Sequence, residues 1–230
     1  MPHPRAGVIF DMDGVLVASG AAHAASWRIV ARRDGISVSD AQFKASFGMT
    51  SREIIRDWWG DSIPADRVES IDDEKEKEYR ELITGMVPLT VGVREVLVAL
   101  FRAGIPLAVG TSGPPENLAL VLTETGIGEY FAATASGKEV ARGKPAPDIF
   151  RLAAQRIGIP PEHCVVVEDA PVGIEAARAA NMKCIAYVGT HDANTLRSAK
   201  PDCIVENLRE VDPSCIASLV GGDVVTTPAD

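Results

Sequence analysis

The chain has 230 residues, of which 46% are hydrophobic, and this length supports one large domain or one domain with an insertion. A formal net charge of −9 argues against a nucleic-acid or anionic-membrane surface. No apolar run approaches the roughly 18 to 20 residues that a membrane-spanning helix needs.

The first predicted element is a short buried strand, Gly7–Phe10, whose end carries two carboxylates. Side chains alternate along an extended segment, so Asp11 and Asp13 point the same way while Met12 points aside. Two like charges this close repel unless a cation, a proton or a phosphorylated substrate compensates for them. The pattern predicts a ligand site at the carboxyl edge of a sheet, although two solvated acids at the end of a surface strand would give the same pattern.

The next stretch is predicted to be mainly helical, before any second strand begins. Four helices are expected, at 22–33, 39–47, 51–59 and 65–84. In the last of them, charged residues at i,i+4 spacing, such as Glu76 and Arg80, are typical of a solvated helix face. Two short connections bound this helical insertion. The predicted division is a core at 1–17 and 86–222, an insertion at 18–85 and a flexible tail at 223–230.

From residue 88 onward, helices alternate with short strands rich in valine and isoleucine. The strands are expected at 105–110, 131–134, 164–168, 183–188 and 203–205. The helices are expected at 92–103, 115–125, 148–157 and 172–180. This alternation predicts right-handed crossovers and an α/β fold with a parallel sheet, in which the first strand pairs with strands that follow residue 100.

Two further motifs follow predicted strands and suit a phosphate. Thr111, Ser112 and Gly113 offer a hydroxyl and backbone amides to phosphate oxygens, and an ordinary helix N-cap would explain them equally well. Lys144 precedes a turn that prolines stiffen, where it can meet a phosphate as a point charge. A solvated loop lysine is the alternative interpretation.

A second acidic strand end brings four carboxylates to the same edge of the sheet. Glu168 and Asp169 follow an apolar strand as Asp11 and Asp13 follow the first one. Four acids and Lys144 would be unbalanced, and a hard divalent cation with oxygen ligands resolves this. A cation that keeps waters and a substrate phosphate fits Mg²⁺, and no glycine-rich nucleotide or P-loop signature competes with it.

These motifs stand in the order found in the haloacid dehalogenase-like hydrolase superfamily. Over residues 7–210 the chain resembles the β-phosphoglucomutase and phosphoglycolate phosphatase-like branch of that superfamily. The motifs are Asp11-Met12-Asp13-Gly14-Val15, Thr111-Ser112-Gly113, Lys144-Pro145 and Glu168-Asp169-Ala170. The resemblance implies a Rossmann-like three-layer core with a central parallel sheet and an inserted α-helical cap domain.

The resemblance also implies a role for each motif residue. Asp11 would be the nucleophile that forms an aspartyl-phosphate, while Thr111 and Lys144 would hold the transferring phosphoryl oxygens. Asp13 would be the general acid and base, partly protonated because of the negative charge around it, and its carbonyl would bind the metal. The implied metal ligands are Asp11, Asp13, Glu168 and Asp169. The implied substrate-binding residues are Ser112, Gly113, His23 and Arg52.

The residues of the helical cap have alternative interpretations. His23 is similar to a histidine that links cap closure to the acid–base residue in the mutase-like branch, and a structural helix histidine is the alternative. Arg52 resembles an arginine that grips a distal phosphate, although Ser51-Arg52 also suits an ordinary helix start. Lys75 falls where the mutase has a cap lysine, but the solvated charge run explains it more simply.

Departures from the mutase pattern favour hydrolysis. Ala18 and Ser19 replace an acid and a threonine, and Gly113-Pro114-Pro115 replaces a polar pair. The sequence therefore predicts a Mg²⁺-dependent phosphatase of small phosphorylated metabolites, either sugar phosphates or phosphoglycolate-like acids. The alternative is a β-phosphoglucomutase-like sugar phosphomutase. A catalytically silent binding protein gains no support, because no motif position is missing.

We expect a cytoplasmic monomer whose partner is a small phosphorylated metabolite, without nucleic-acid or membrane partners. The start of the chain shows no signal-peptide apolar region. Its four cysteines lack CxxC spacing, which is typical of thiols in a reducing compartment.

Overall fold

The computed structural model describes residues 6–47 and 49–221, and the tail predicted at 223–230 lies outside them. Its six strands form one parallel sheet in the order β3-β2-β1-β4-β5-β6. They are β1 (Gly7–Phe10), β2 (Leu107–Gly110), β3 (Ala133–Ala135), β4 (Cys164–Glu168), β5 (Lys183–Tyr187) and β6 (Cys203–Val205). β1 lies between β2 and β4, where the chain changes from one half of the sheet to the other.

Ten α-helices occur in the described part of the chain. They are α1 (Gly20–Arg33), α2 (Asp40–Ser46), α3 (Ser51–Trp59), α4 (Ala65–Ile83), α5 (Val93–Arg102), α6 (Pro115–Thr125), α7 (Asp148–Ile157), α8 (Pro171–Ala179), α9 (Ala193–Ser198) and α10 (Pro213–Val220). None of these helices combines the length and the apolar character that crossing a membrane requires.

The last two helices were not among the predicted elements. Both are short, and each begins at an aspartate whose side chain accepts a backbone N–H of the first turn. Asp192 accepts from Thr195 N before α9, and Asp212 accepts from Cys215 N before α10. These N-caps are the sequence signal that periodicity alone does not show.

Strand residues alternate between two hydrophobic cores, which gives the predicted three layers. Val8 and Phe10 of β1 pack on one face of the sheet with Leu97 of α5. Ile9 packs on the other face with Ile174 of α8. All four residues of β1 are buried, and full burial of each large apolar side chain contributes about 1.5–3 kcal/mol. The carboxylates that follow β1 are therefore carried by a rigid central strand.

Helices α1 to α4 have a hydrophobic core of their own, which includes Trp27, Ile55 and Ile71. We call residues 18–85 the helical insert. The two connections to the core run side by side, since Ala18 N donates to Pro88 O at 2.8 Å. The predicted boundaries fall in these connections, and the division into domains stays a prediction.

Candidate active site

The fold brings all four predicted core motifs to the carboxyl edge of the sheet. Asp11 follows β1, Thr111 follows β2, and Glu168 and Asp169 lie at the end of β4. Lys144 reaches the same place from the segment before α7, and all five side chains are buried. β2, β1 and β4 are neighbours, so the loops after them meet at the topological switch point of the sheet.

Lys144 links the first and the last motif. Its Nζ donates to Asp11 Oδ1 at 2.7 Å and to Glu168 Oε1 at 2.6 Å. Burial by itself would lower the pKa of Lys144, but Asp11 and Glu168 outweigh it and raise that pKa above its ordinary value. Lys144 is therefore a charged residue that fixes one oxygen of Asp11.

At Asp11, burial and two neighbouring acids together outweigh the effect of Lys144 on the pKa. Burial raises this pKa, Lys144 lowers it, and Glu168 and Asp13 raise it again, so that it lies well above its ordinary value. A second cation beside Asp11 would restore the ionised form, because an opposite charge nearby favours the carboxylate.

Three carboxylates converge where such a cation would fit. Oxygens of Asp11, Glu168 and Asp169 lie within 4.8 Å of one another. Asp169 Oδ1 is one of two buried side-chain oxygens without a hydrogen-bond partner in the described residues. Burial, followed by the charge of Glu168, raises the pKa of Asp169 to about 7. An all-oxygen donor set with an orphaned oxygen suits a hard divalent metal ion, so the residues fit the expected group.

Glu168 is itself held by several hydrogen bonds. Its Oε2 accepts from the backbone N–H groups of Asp169 and Ala170, both at 2.8 Å, and its Oε1 accepts from Lys144. Gly173 of α8 is required here, because a Cβ at that position would lie 1.7 Å from Glu168 Oε1. Glu168 therefore orients Lys144 and the loop after β4, and its place among the metal ligands stays a prediction.

The other predicted acid, Asp13, is held by residues of the helical insert. Its Oδ1 accepts from Ser19 Oγ at 2.7 Å, His23 Nε2 at 2.8 Å and Tyr79 Oη at 3.1 Å. Burial raises the pKa of Asp13, but His23 and then Ser19 outweigh burial and lower it to about 2. The expectation of a partly protonated Asp13 is therefore wrong for this arrangement, because several donors on one oxygen stabilise the carboxylate.

His23 is oriented by a charged and an aromatic neighbour. Its Nδ1 lies 2.9 Å from Lys75 Nζ, and its ring stacks on Tyr79 with centroids 3.9 Å apart. Because an ammonium group can only donate, Nδ1 accepts, and the proton on Nε2 is the one that faces Asp13. This geometry links the insert to Asp13 through His23, and the acid–base role of Asp13 stays a prediction.

The charged run on α4 is not solvated throughout, so that interpretation was wrong for two of its residues. Lys75 and Glu76 are only 3% and 5% exposed, and Lys75 Nζ donates to Glu76 Oε1 at 2.8 Å. The sequence did carry a signal for this. Lys75 and Tyr79 continue the spacing of the buried Val68 and Ile71, which places them on the same helix face.

A cavity of about 60 Å³ lies between the core motifs and the helical insert. Its lining from the core consists of Asp11, Asp13, Thr111, Ser112, Gly113 and Lys144. Of the predicted insert residues, His23 lines it as well, whereas Arg52 is exposed. α3 turns Ile54 and Ile55 inward and presents Ser51 to the cavity, which leaves Arg52 on the outer face.

Comparisons with known proteins agree with this site. A family model described as haloacid dehalogenase-like hydrolase matches residues 6–181. The chain is 31% identical over 206 residues to a validoxylamine A 7′-phosphate phosphatase of Streptomyces hygroscopicus subsp. limoneus, covering 88% of this chain and 94% of the relative. It is 34% identical over 185 residues to a fructose-1-phosphate phosphatase of Escherichia coli strain K12, covering 78% and 95%.

The fold also resembles a crystal structure of β-phosphoglucomutase from Clostridium difficile. The TM-score is 0.84 at 24% identity, with 94% of this chain and 97% of that chain covered. At this identity the likeness concerns the fold alone. The family model matches well over half of the chain, and the four motifs meet in space as such a site requires, so the chain belongs to the haloacid dehalogenase-like hydrolases.

Proposed function

We propose that this protein is a Mg²⁺-dependent phosphatase of small phosphorylated metabolites that works through an aspartyl-phosphate on Asp11. The family and the phosphatase relatives indicate a phosphoric monoester hydrolase. The observation that carries the finer proposal is the position of Lys144 Nζ, 2.7 Å from Asp11 and 2.6 Å from Glu168. It fixes one Asp11 oxygen beside a cluster of acids that fits a metal ion.

In the first step, an oxygen of Asp11 attacks phosphorus while the bond to the leaving oxygen breaks. Lys144 donates to Asp11 Oδ1 and so orients the carboxylate for this attack. Thr111, Ser112 and Gly113 lie beside Asp11 in the cavity lining and suit the phosphoryl oxygens. A divalent ion held by Asp11 and Asp169 would supply positive charge that neutralises the transferring group.

Asp13 serves both steps in turn. Its low pKa keeps it ionised, and the carboxylate is the form that can accept a proton from the water attacking the aspartyl-phosphate. For the first step it must carry a proton to the leaving oxygen, and an approaching phosphate favours this because nearby negative charge raises a carboxyl pKa. The donors from Ser19, His23 and Tyr79 keep Asp13 in place through both steps.

We further propose that the helical insert at 18–85 acts as the cap over this cavity and selects the leaving group. Both lysines among the described lining residues are paired with carboxylates, Lys75 with Glu76 and Lys144 with Asp11. No lysine in that lining is left unpaired for a second phosphate, and Arg52 lies outside the cavity. This supports hydrolysis of monophosphates such as sugar phosphates over the phosphomutase alternative.

The test is turnover of an aryl phosphate, followed by a panel of sugar and acid monophosphates, with and without Mg²⁺. Asp11→Asn is expected to reduce turnover by at least about a thousandfold because it removes the nucleophile. The matched control is Asp57→Asn, an exposed acid on α3, which should retain wild-type turnover. Full activity in Asp11→Asn would refute the nucleophile. Glucose 6-phosphate formed from β-glucose 1-phosphate with a trace of bisphosphate would favour the mutase.

A further inference from the structure

Two side chains of α4, in the helical insert, form hydrogen bonds with a single buried residue of the core. Asn117 of α6 is 0% exposed. Its Nδ2 donates to Glu76 Oε2 at 2.6 Å, and its Oδ1 accepts from Arg80 Nη1 at 2.8 Å. Glu76 and Arg80 are four residues apart and therefore lie on one face of α4. The donor and the acceptor of one amide thus each meet a complementary group of the insert.

Glu76 also belongs to the group of residues that reaches Asp13. Its Oε1 accepts from Lys75 Nζ at 2.8 Å and from Ser51 Oγ at 3.2 Å. Burial raises the pKa of Glu76, but Lys75, His23 and Asn117 together outweigh burial and bring this pKa below its ordinary value. Glu76 is therefore a buried carboxylate, and such a group is stable only while its hydrogen-bond partners remain in place.

These contacts form one continuous path that starts and ends on the core. It runs from Asn117 to Glu76, then to Lys75, to His23 and finally to Asp13. The first and last contacts cross between core and insert, whereas the middle two lie within the insert. If the insert lifts from the core, the contact at Asn117 and the contact at Asp13 break together.

We propose that Glu76 is a positioning residue: its hydrogen bond with Asn117 seats α4 on the core, and its pairing with Lys75 holds His23 against Asp13. This inference rests on the proposed phosphatase function, because Asp13 is the acid–base residue of that function. Glu76 borders the cavity, but its hydrogen bonds go to Ser51, Lys75 and Asn117 and not to the acids that fit the metal. Its effect should therefore appear in kcat and not in the KM for Mg²⁺.

The decisive experiment reverses the hydrogen bond between the two residues. Asn117→Asp keeps the acceptor for Arg80 but sets a carboxylate against Glu76, so we expect kcat to fall by about tenfold or more. In the double variant Glu76→Gln/Asn117→Asp, the new amide donates to the new carboxylate and its oxygen still accepts from Lys75. We expect the double variant to recover kcat to within about threefold of wild type. The KM for Mg²⁺ should change less than about twofold in both.

A matched control breaks a different contact between α4 and the core. Asp73 pairs with Lys138 at 3.5 Å, but both side chains are largely exposed, so Asp73→Asn should change kcat less than about twofold. If Asn117→Asp does not fold, as judged by thermal unfolding, Glu76→Gln alone is the second variant. It keeps the shape but turns one of the two acceptors of Glu76 into a donor, which then faces the donor of Asn117 or of Lys75. In this variant kcat should fall by about fivefold with the KM for Mg²⁺ unchanged.

A readout without turnover separates this inference from the proposed function. All three tryptophans, Trp27, Trp58 and Trp59, lie in the insert, and Lys75 Nζ is 5.2 Å from the Trp27 ring centroid. Tryptophan emission should change in Asn117→Asp and return in the double variant. Wild-type kcat in Asn117→Asp, or a folded double variant as impaired as the single one, would overturn the role of Glu76. A wild-type protein without any phosphatase activity would instead refute the proposed function. The emission comparison would still decide whether the hydrogen bond between Glu76 and Asn117 holds α4 against the core.

Discussion

Asp169 combines two properties that rarely occur together in a folded protein, full burial and an oxygen without a hydrogen-bond donor. The side chain is 0% exposed, and its Oδ1 lacks a partner among the described residues. Its other oxygen accepts from Thr190 N at 3.0 Å. Such an arrangement costs free energy unless a ligand compensates for it. At the scale of one residue, this is the clearest physical reason to expect a metal ion here.

This cost has a definite pH dependence in the absence of metal. Folding raises the pKa of Asp169 from 3.8 to about 7, so the folded state keeps a proton that the unfolded chain releases. The contribution of this group to stability therefore falls as pH rises between those two values. In EDTA, Asp169→Asn should be more stable than wild type at pH 8, and this difference should vanish near pH 4. Urea unfolding at the two pH values measures it.

Adding Mg²⁺ supplies the other half of this prediction. A ligand that binds only the folded state raises stability by about 2.7 kcal/mol at a hundred times its Kd. Wild type and Asp57→Asn should gain this stability, whereas Asp169→Asn should not. An Asn variant that is less stable than wild type in EDTA at pH 8, or that Mg²⁺ stabilises equally, contradicts the metal site.

At the scale of elements, the turn after β1 depends on one glycine. Gly14 has a φ of +85°, and a Cβ there would lie 2.0 Å from Asp169 Oδ2. Gly35, after α1, has a similar φ of +75° but nothing within 4 Å of its Cβ position. Substituting Gly14 and Gly35 therefore separates two free-energy costs, that of the backbone conformation and that of crowding Asp169.

Gly35→Ala should lower the free energy of unfolding by about 1 kcal/mol, because a left-handed conformation is costly for alanine. Gly14→Ala should lower it by at least about 2 kcal/mol more and reduce kcat by at least about tenfold, since Asp169 must move. Urea unfolding and turnover measure the two effects. Equal losses in both variants would show that the close approach of Asp169 has no energetic consequence.

Most elements could be predicted because their signals are local. The acidic ends of β1 and β4 are visible in the order of the residues, and the predicted bounds of α3, α6 and α7 match the structure. β3 begins at Ala133 and not at 131, because a short 3-10 helix, Gly128–Tyr130, and two further residues precede it. Local patterns of this kind involve residues that are close in sequence, so they can be identified from the sequence alone.

The partners of Glu76 could not be predicted, because they come together only in the folded molecule. Its surroundings on α4 are charged, and i,i+4 pairing suggests solvent. Burial follows from the contacts with Ser51 and with Asn117, which are 25 and 41 residues distant in sequence. Arg52 is the opposite case, because its sequence context suited a phosphate contact but the helix turns it outward. Which way a helix faces is decided by packing, and the local sequence leaves it open.

At the scale of the whole molecule, the net charge of the protein and the charge of its proposed substrate have the same sign. A net charge of −9 repels phosphate esters at long range, so attraction must come from charges inside the cavity. Lys144 is buried there, and the three acids fit a divalent ion. In the proposed function the core supplies this chemistry, while the helical insert borders the cavity and reaches Asp13 through His23. The proposed reaction therefore requires the core and the insert to be in contact.

The central claim is that the phosphoryl group is transferred to Asp11. Rapid acid quenching during turnover with Mg²⁺, followed by peptide mass spectrometry, tests it most directly. We expect a phosphoryl adduct on the peptide that carries Asp11 in the wild-type protein, and none in Asp11→Asn. Steady turnover with the adduct on any other residue, or with no adduct on this peptide at any quench time, would contradict it.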